Sequence, residues 1–481
     1  MPDKTGGAVN PGSAETPGGG GRRDGPGPLR DLDLTSLASY AESCRAIANR
    51  DFAGLSPDEV GLLAEDYNAY PGLDRLTPPH SMIALEDRLT EAHRDRARRA
   101  VLDGLIFWEH TAAGEATRLK LGPKYLIHPH RLPLSPDYLA SGPAEPDRAG
   151  DDERSGAPGS SGSRPVNHMD LMPLTLGARH MWQWVFEINR LAEEAGLDPR
   201  QVLARQRALL IVGEQTRADI FRHIVQAGFM GLKPENFLMM VQPAFHGLTP
   251  GPEGWRFDPS APSKLHNHGQ MAMQKTMDRQ ILRLDAEGRE HPLSRAEFFA
   301  LLGEAADLVS YNIEDLGYLT RALDFDTIGL ALDLSDEGYG MTMEIVANNP
   351  ERPIKGGTCA HDPALGRDVV IESFRLRGLE PRQISHLNKN FNHFPRPALI
   401  FQKLHEQGLF MPVNVSEGGL YFQPVQGDLN FLAKTAFITR RVSAPIRSWK
   451  IPQDTPAAVE AMRQQDDQPG FAEFVRPLPR E

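Results

Sequence analysis

Apolar positions recur in two rhythms along the chain. Between residues 33 and 100 they return every three or four positions, in LTSLASYAESCRAIANR and again in ALEDRLTEAHRDRARRAVL, a spacing that predicts helices. Beyond residue 100, unbroken apolar runs of strand length stand at Leu105 to Trp108, Ala208 to Val212, Asn236 to Val241, Leu308 to Tyr311 and Met341 to Val346. Helix-like segments such as RHMWQWVFEINRLAEEAG and RADIFRHIVQAG separate them. In the first of these, Met181, Val185, Ile188 and Ala192 make one apolar stripe, and Gly196 follows where a left-handed cap costs least; Gly228 ends the second in the same way. Strand and helix in alternation predict an α/β fold, with parallel strands covered by helices on both faces. In such folds ligands bind beyond the carboxyl ends of the strands.

Two stretches carry neither rhythm. Residues 1–32 are Gly and Pro punctuation and are expected to be disordered, and residues 135–165, rich in Pro, Gly, Ser and acids, read as a mobile surface insertion. The expected organisation is therefore a helical N-terminal region over 33–100, a core over 101–440 that carries the insertion, and a Pro-rich C-terminal tail over 441–481. No internal repeat of 20 to 50 residues is present.

Composition removes several classes of function. The net charge of −12 supplies no basic field for a nucleic acid, and no apolar stretch is long enough to span a membrane. The first thirty residues lack the apolar core of a secretory signal, so the expected location is cytoplasmic. Two distant cysteines, Cys44 and Cys359, indicate neither a disulfide framework nor a zinc cage.

Candidate chemistry begins at TAAGEATRLKLGPK, residues 111–124, directly behind the first strand. Small residues there let backbone N–H groups approach a phosphate chain, and Arg118 and Lys124 supply positive charge. A small-residue turn with two solvated cations is the competing reading. The loop fits neither GxxxxGK[ST] nor GxGxxG, which argues against a Walker ATPase and an ordinary dinucleotide fold. The HNH run at 266–268 has no further spaced ligand with which to make a metal site.

Seven segments, in chain order over roughly 105–435, resemble the UDP-glucose pyrophosphorylases, the UTP:sugar-1-phosphate uridylyltransferases. AAGEATRLKLGPK stands where that family has approximately GGLGTSMGxxGPK, and shares a glycine, a threonine and the closing GPK. LLIVGEQTRADIFRHI and AGFMGLKPENFLMMVQP resemble the next two family segments. LHNHGQM is similar to "PPGHGD", SYNIEDLGYL to "sNxDNLGA", GMTMEIVANNPERPIKGGT to "mEvtxKTxaDxKGGtL", and EGGLYFQPVQGDLNFL to "DGGxxViQLExAxG".

The resemblance implies a Rossmann-like GT-A nucleotidyltransferase core, with a mixed, mostly parallel sheet covered by helices and without the C-terminal β-helix of many relatives. It implies a uridylyltransferase that joins UTP to a sugar 1-phosphate, with glucose 1-phosphate first in line and N-acetylglucosamine 1-phosphate the alternative, or a silent relative that only binds them. A monomer is the simplest assembly. By position, Lys124 and Arg118 would contact the UTP phosphates, with Ala113 and Gly114 as the backbone cradle and Lys355 of KGG at the reacting phosphates. Gln242 and Gly269 would meet the uracil edge, and His268 would orient the donor. Mg2+ is the implied cofactor, with Glu314 and Asp315 at the metal position, where the family has Asp and Asn; read from the residues alone, this pair is equally an acidic turn. Glu344 and Asn392 would face the sugar, although a strand acid such as Glu344 can equally face solvent. Ala112 and Ala113 replace a glycine pair, and Glu115 adds a negative charge to a loop meant for anions.

Overall fold

Hydrophobic residues of neighbouring strands are sorted by parity onto two cores. Ile106 and Trp108, Ala208, Leu210 and Val212, and Phe237 and Met239 face one core; Phe107, Leu209 and Ile211, and Leu238 and Met240 face the other. That is the period of two expected of strands buried on both faces, and it explains why their sequences read as continuous apolar runs. The computed structural model describes residues 32–113, 124–127, 174–313, 316–441 apart from 352 and 354, 455–466 and 469–475. The segments 1–31 and 135–165 lie outside these residues.

The strands are β1 (Met82–Ala84), β2 (Ile106–Thr111), β3 (Arg207–Gly213), β4 (Phe237–Gln242), β5 (Ala244–His246), β6 (Leu248–Gly251), β7 (Gly254–Phe257), β8 (Ser263–Leu265), β9 (Ile281–Leu284), β10 (Glu290–Leu293), β11 (Asp307–Asn312), β12 (Met341–Ala347), β13 (Thr358–Asp362), β14 (Arg367–Ile371), β15 (His386–Pro395), β16 (Val413–Ser416), β17 (Gly419–Phe422) and β18 (Thr435–Thr439). A 12-stranded sheet runs β1-β18-β12-β15-β11-β2-β3-β4-β9-β10, with β13 and β14 attached beside β15. Pairing is parallel from β4 through β3 and β2 to β11, and again from β12 through β18 to β1. β15 runs antiparallel between these two blocks, and β9 and β10 close the far edge as an antiparallel hairpin, so the sheet is mixed.

Helices cover both faces. Leu176–Glu194, Glu91–Leu102 and Arg217–Gln226 pack on one core; Leu37–Asp51, His268–Gln274, Arg295–Gly303 and Pro397–Gln407 pack on the other. The run ALEDRLTEAHRDRARRAVL forms two helices, because Thr90 adopts an extended cap and starts Glu91–Leu102 afresh. Gly196 and Gly228 take the expected left-handed conformation, at φ 69° and 57°. No helix of the described residues is long and apolar enough to cross a membrane. Both cysteines are buried and free.

The helix Leu176–Glu194 departs from a simple amphipathic surface helix. Its stripe of Met181, Val185, Ile188 and Ala192 is buried as expected, but so are Arg179, His180 and Gln183. Helices Thr455–Asp466 and Pro469–Val475, inside the stretch the sequence presents as a tail, supply the extra cover. Val459, Met462, Phe471 and Val475 join the same core, and the Arg179 guanidinium stacks 4.0 Å from the Phe471 ring. Beneath this cover the rings of His110 and His180 lie 5.3 Å apart and both stack on Tyr311. None of their four ring nitrogens has a hydrogen-bond partner. Burial pushes the His110 imidazole down to about 3, and burial, with His110 and Arg179 beside it, drives His180 well below its ordinary value, so both are neutral.

Candidate active site at the carboxyl edge of the sheet

The parallel strands all point their carboxyl ends to one edge, and of the nominated residues Ala113 and Gln242 stand there at or just past the strand ends. β2 continues past Thr111 into Ala112 and Ala113, both buried, and the Ala112 N–H donates to the Ile211 carbonyl at 2.8 Å. On the next strand Gly213 suits this approach: a Cβ there would sit 3.2 Å from the Ala113 carbonyl oxygen, a tight contact. Gly213 pairs in register with Gln242 at the end of β4. On the other side of β2, Asn312 pairs with Thr111, and the Ile313 N–H donates to the Thr111 carbonyl at 3.0 Å. Glu314 and Asp315 follow Ile313 in the chain. They lie outside the described residues, as do Gly114, Glu115, Arg118 and the Lys124 side chain; the Lys124 backbone begins a single 3-10 turn, Lys124–Leu126.

Gln242 is buried, and its side-chain amide donates to the His266 carbonyl. The His266 N–H in turn donates to the Pro243 carbonyl at 2.9 Å, so the end of β4 and the segment after β8 are stitched together. Asn267 then caps the short helix His268–Gln274: its Oδ1 accepts from the Gln270 N–H at 3.1 Å, and Gln270 Oε1 accepts from the Asn267 N–H at 2.9 Å. Gln270, at the acidic position of "GHGD", thus completes a capping box. Gly269 has a structural reason to lack a side chain, since an added Cβ would lie 2.1 Å from the Pro424 carbonyl oxygen. His268 opens the helix at this edge.

On the far side of β11, the strand β15 carries an irregularity against β12. Met343 faces Asn392 and Ile345 faces Asn388, so the single residue Glu344 opposes Lys389, Asn390 and Phe391. Such bulges re-aim side chains, and here the Lys389 ammonium reaches Glu344 Oε1 at 3.2 Å. Arg440, just past β18, donates from Nε to the same oxygen at 3.0 Å and from its terminal nitrogen to Asp324. Burial works to raise the Asp324 carboxyl, but Arg440 and Arg321 beside it hold it below its ordinary range. Glu344 is therefore a buried, paired acid rather than a solvent-facing one. Asn392 sits further inside the sheet, opposite Ser310, 4% exposed and with its Oδ1 unpartnered. Lys355 is exposed on the connection between β12 and β13.

Sequence reasoning passed over Gly213, Lys389, Asp324 and Arg440. Gly213 stood within the quoted LLIVGEQT, where a glycine ending an apolar run is the signal for a close backbone approach. Lys389 stood within KNFNHF, where too few apolar residues mark the strand.

No protein-family model matches this sequence. No curated protein matches it either. Solved structures do. The uridine diphosphate N-acetylglucosamine pyrophosphorylase of Trypanosoma brucei, in complex with an inhibitor, superposes with a TM-score of 0.52 at 12% identity, over 92% of this chain and 86% of that one. A single-site variant of the UDP-glucose pyrophosphorylase of Leishmania major superposes with a TM-score of 0.51 at 15% identity, over 87% of this chain and 78% of that one. The fold of this chain, from its N-terminal helices to its mixed central sheet, is the fold of the UDP-sugar pyrophosphorylases.

Proposed function

We propose that the protein is a UTP-dependent sugar-1-phosphate uridylyltransferase with a GT-A core that forms a UDP-sugar and pyrophosphate. The observation that carries this reading is a single row along the carboxyl edge: Gln242 on β4, Gly213 on β3, Ala113 after β2, Asn312 on β11 and Lys389 on β15. Four strand steps of about 4.8 Å make this row roughly 19 Å long, enough for a base, a phosphate chain and a hexose laid end to end. Gln242 and the start of the helix His268–Gln274 stand at the base end. By their place in the sequence after Ala113, Gly114, Arg118 and Lys124 are assigned to the phosphates and Lys355 to the reacting phosphates, while Glu344 and Lys389 stand at the proposed sugar end.

In the reaction, a phosphate oxygen of the sugar 1-phosphate attacks the α-phosphorus of UTP in line; the bond from that phosphorus to the bridging oxygen breaks, and pyrophosphate leaves with its electron pair. Both reactants are anions, so the work of the protein is to hold them in line and to place cations and N–H donors around the oxygens. The carboxylates Glu314 and Asp315 follow Ile313 at the middle of the row, and their hard oxygen donors suit Mg2+. A bound Mg2+ would neutralise phosphate charge there. The likeness of fold to pyrophosphorylases of two different UDP-sugars supports this class of substrate, and glucose 1-phosphate is the first sugar to test; the proposed assembly is a monomer and the proposed location cytoplasmic.

The test is to incubate the purified protein with Mg2+, UTP and a panel of sugar 1-phosphates and to follow pyrophosphate release, with Lys124→Ala alongside. Release that falls at least tenfold in Lys124→Ala is expected, a barrier change of about 1.4 kcal/mol or more. No release with any sugar, while UTP still binds, would show a silent binding protein instead.

A further inference from the structure

Beside the base end of the row lies a cavity. It holds about 190 Å3, is partly open, and is walled by the helix Leu37–Asp51, the segments at 243–248 and 266–270, and β17. Gln242, His268 and Gly269 do not line it, but their chain neighbours Pro243, His266 and Gln270 do. Its walls are aromatic and apolar, with Tyr40, Phe245, His266 and Phe422 prominent. The rings of Tyr40 and Phe245 meet His266 edge-on at 6.0 and 5.1 Å, which leaves ring faces and edges for an aromatic guest.

The Tyr40 hydroxyl lies beside Gln270 and Cys44, and the His266 ring beside Gln274, so the polar groups of this wall are turned into the protein and the void itself is apolar. Burial pushes the Cys44 thiol up to about 12 and the His266 imidazole down to about 4, so the wall carries no charge near neutral pH. A void of about 150 Å3 is known to take benzene, so this one accommodates a single substituted ring.

We propose that this cavity binds a small neutral aromatic molecule, and that its occupancy adjusts the nucleotide end of the candidate site. The link is short: the ring of His266 lines the cavity, while its carbonyl holds the Gln242 amide and its N–H is fixed to Pro243. The adjusting half of the proposal rests on the uridylyltransferase reading; the binding half does not.

The experiment titrates phenol and indole into the full-length protein by calorimetry and ligand-observed NMR, then measures UTP affinity with and without the better probe. One-to-one saturable binding is expected, together with a change in UTP affinity of about fivefold or more. Ala41→Trp, and separately Leu37→Trp, fill the cavity and are expected to abolish probe binding while the near-ultraviolet circular dichroism stays native. Absence of saturable binding to the unmodified protein, or binding that survives in both folded variants, overturns the site. Binding that leaves UTP affinity unchanged overturns the adjustment. Probe binding by a protein that does not bind UTP at all would sink the uridylyltransferase reading and leave the cavity site standing.

Discussion

Lys389 and Arg440 both contact Oε1 of Glu344, at 3.2 and 3.0 Å. The acid is thus held by two cations through one oxygen, and on the proposed function its other oxygen is assigned to a sugar hydroxyl. Glu344→Gln is expected to lower kcat/KM for the sugar 1-phosphate about tenfold, near 1.4 kcal/mol, with UTP binding little changed. Steady-state kinetics with the sugar varied checks this. An equal loss in UTP affinity would place Glu344 elsewhere in the reaction.

The ion pair of Lys275 with Glu109, both side chains 2% exposed, lies buried between the sheet and the helices that cover one of its faces, with Ser310 donating to the other Glu109 oxygen at 2.8 Å. Removing one partner strands the other charge in a low dielectric. Lys275→Met alone is expected to cost about 3–5 kcal/mol of unfolding free energy, and Lys275→Met with Glu109→Leu much less. Urea denaturation of the two singles and the double measures the coupling. Additive losses would show that water reaches the pair.

Gly269→Ala tests the crossing with Pro424 and Val425. The new methyl would lie 2.1 Å from one backbone oxygen and 2.5 Å from a backbone nitrogen, neither of which can rotate away. A destabilisation of about 1–3 kcal/mol is expected from overpacking, read as a lower denaturation midpoint at unchanged slope. Wild-type stability would mean that the 424–425 segment yields.

Glu372 sets a pH dependence. Burial pushes its carboxyl from 4.5 up to about 7, Asp428 adds to the rise and Arg375 opposes it. Between these values the folded protein holds the proton and the unfolded chain does not. The contribution to stability is therefore full below pH 4.5 and is lost as pH rises through 7. Glu372→Gln keeps the neutral form at every pH, so it is expected to gain about 1–3 kcal/mol on wild type between pH 5 and pH 8. Thermal or urea melts across that range read the difference, and parallel curves would refute the shift.

Legibility of the fold followed hydrophobic content. The strands at 106–111, 207–213, 237–242, 307–312 and 341–347 declare themselves because burial on both faces makes them apolar throughout. β15 is different: HLNKNFNHFP is mostly polar, since it runs beside Glu344 and carries Asn392 and His393 into partnered or orphaned positions inside the sheet, and it reads as a loop. Its antiparallel direction cannot be seen from composition at all. The candidate site divides in the same way. Ala113, Gln242, Gly269 and Glu344 are nominated by their place after strands or in motif order, whereas Lys389 and Arg440 meet Glu344 only through a bulge and a chain crossing. Helices Thr455–Asp466 and Pro469–Val475 were hidden by the prolines around them.

Those two helices have a consequence for how the chain is made. His110 and Tyr311 belong to early and middle portions of the sequence, yet the lid over the helix that shelters them carries Phe471 and Val475. While the ribosome is still adding residues before this segment, Arg179, Trp182 and their neighbours remain wetted. Synthesis must pass this segment before the outer face of the helix Leu176–Glu194 is covered, so a nascent chain stalled short of that point would present Trp182 and Phe186 to water and to chaperones.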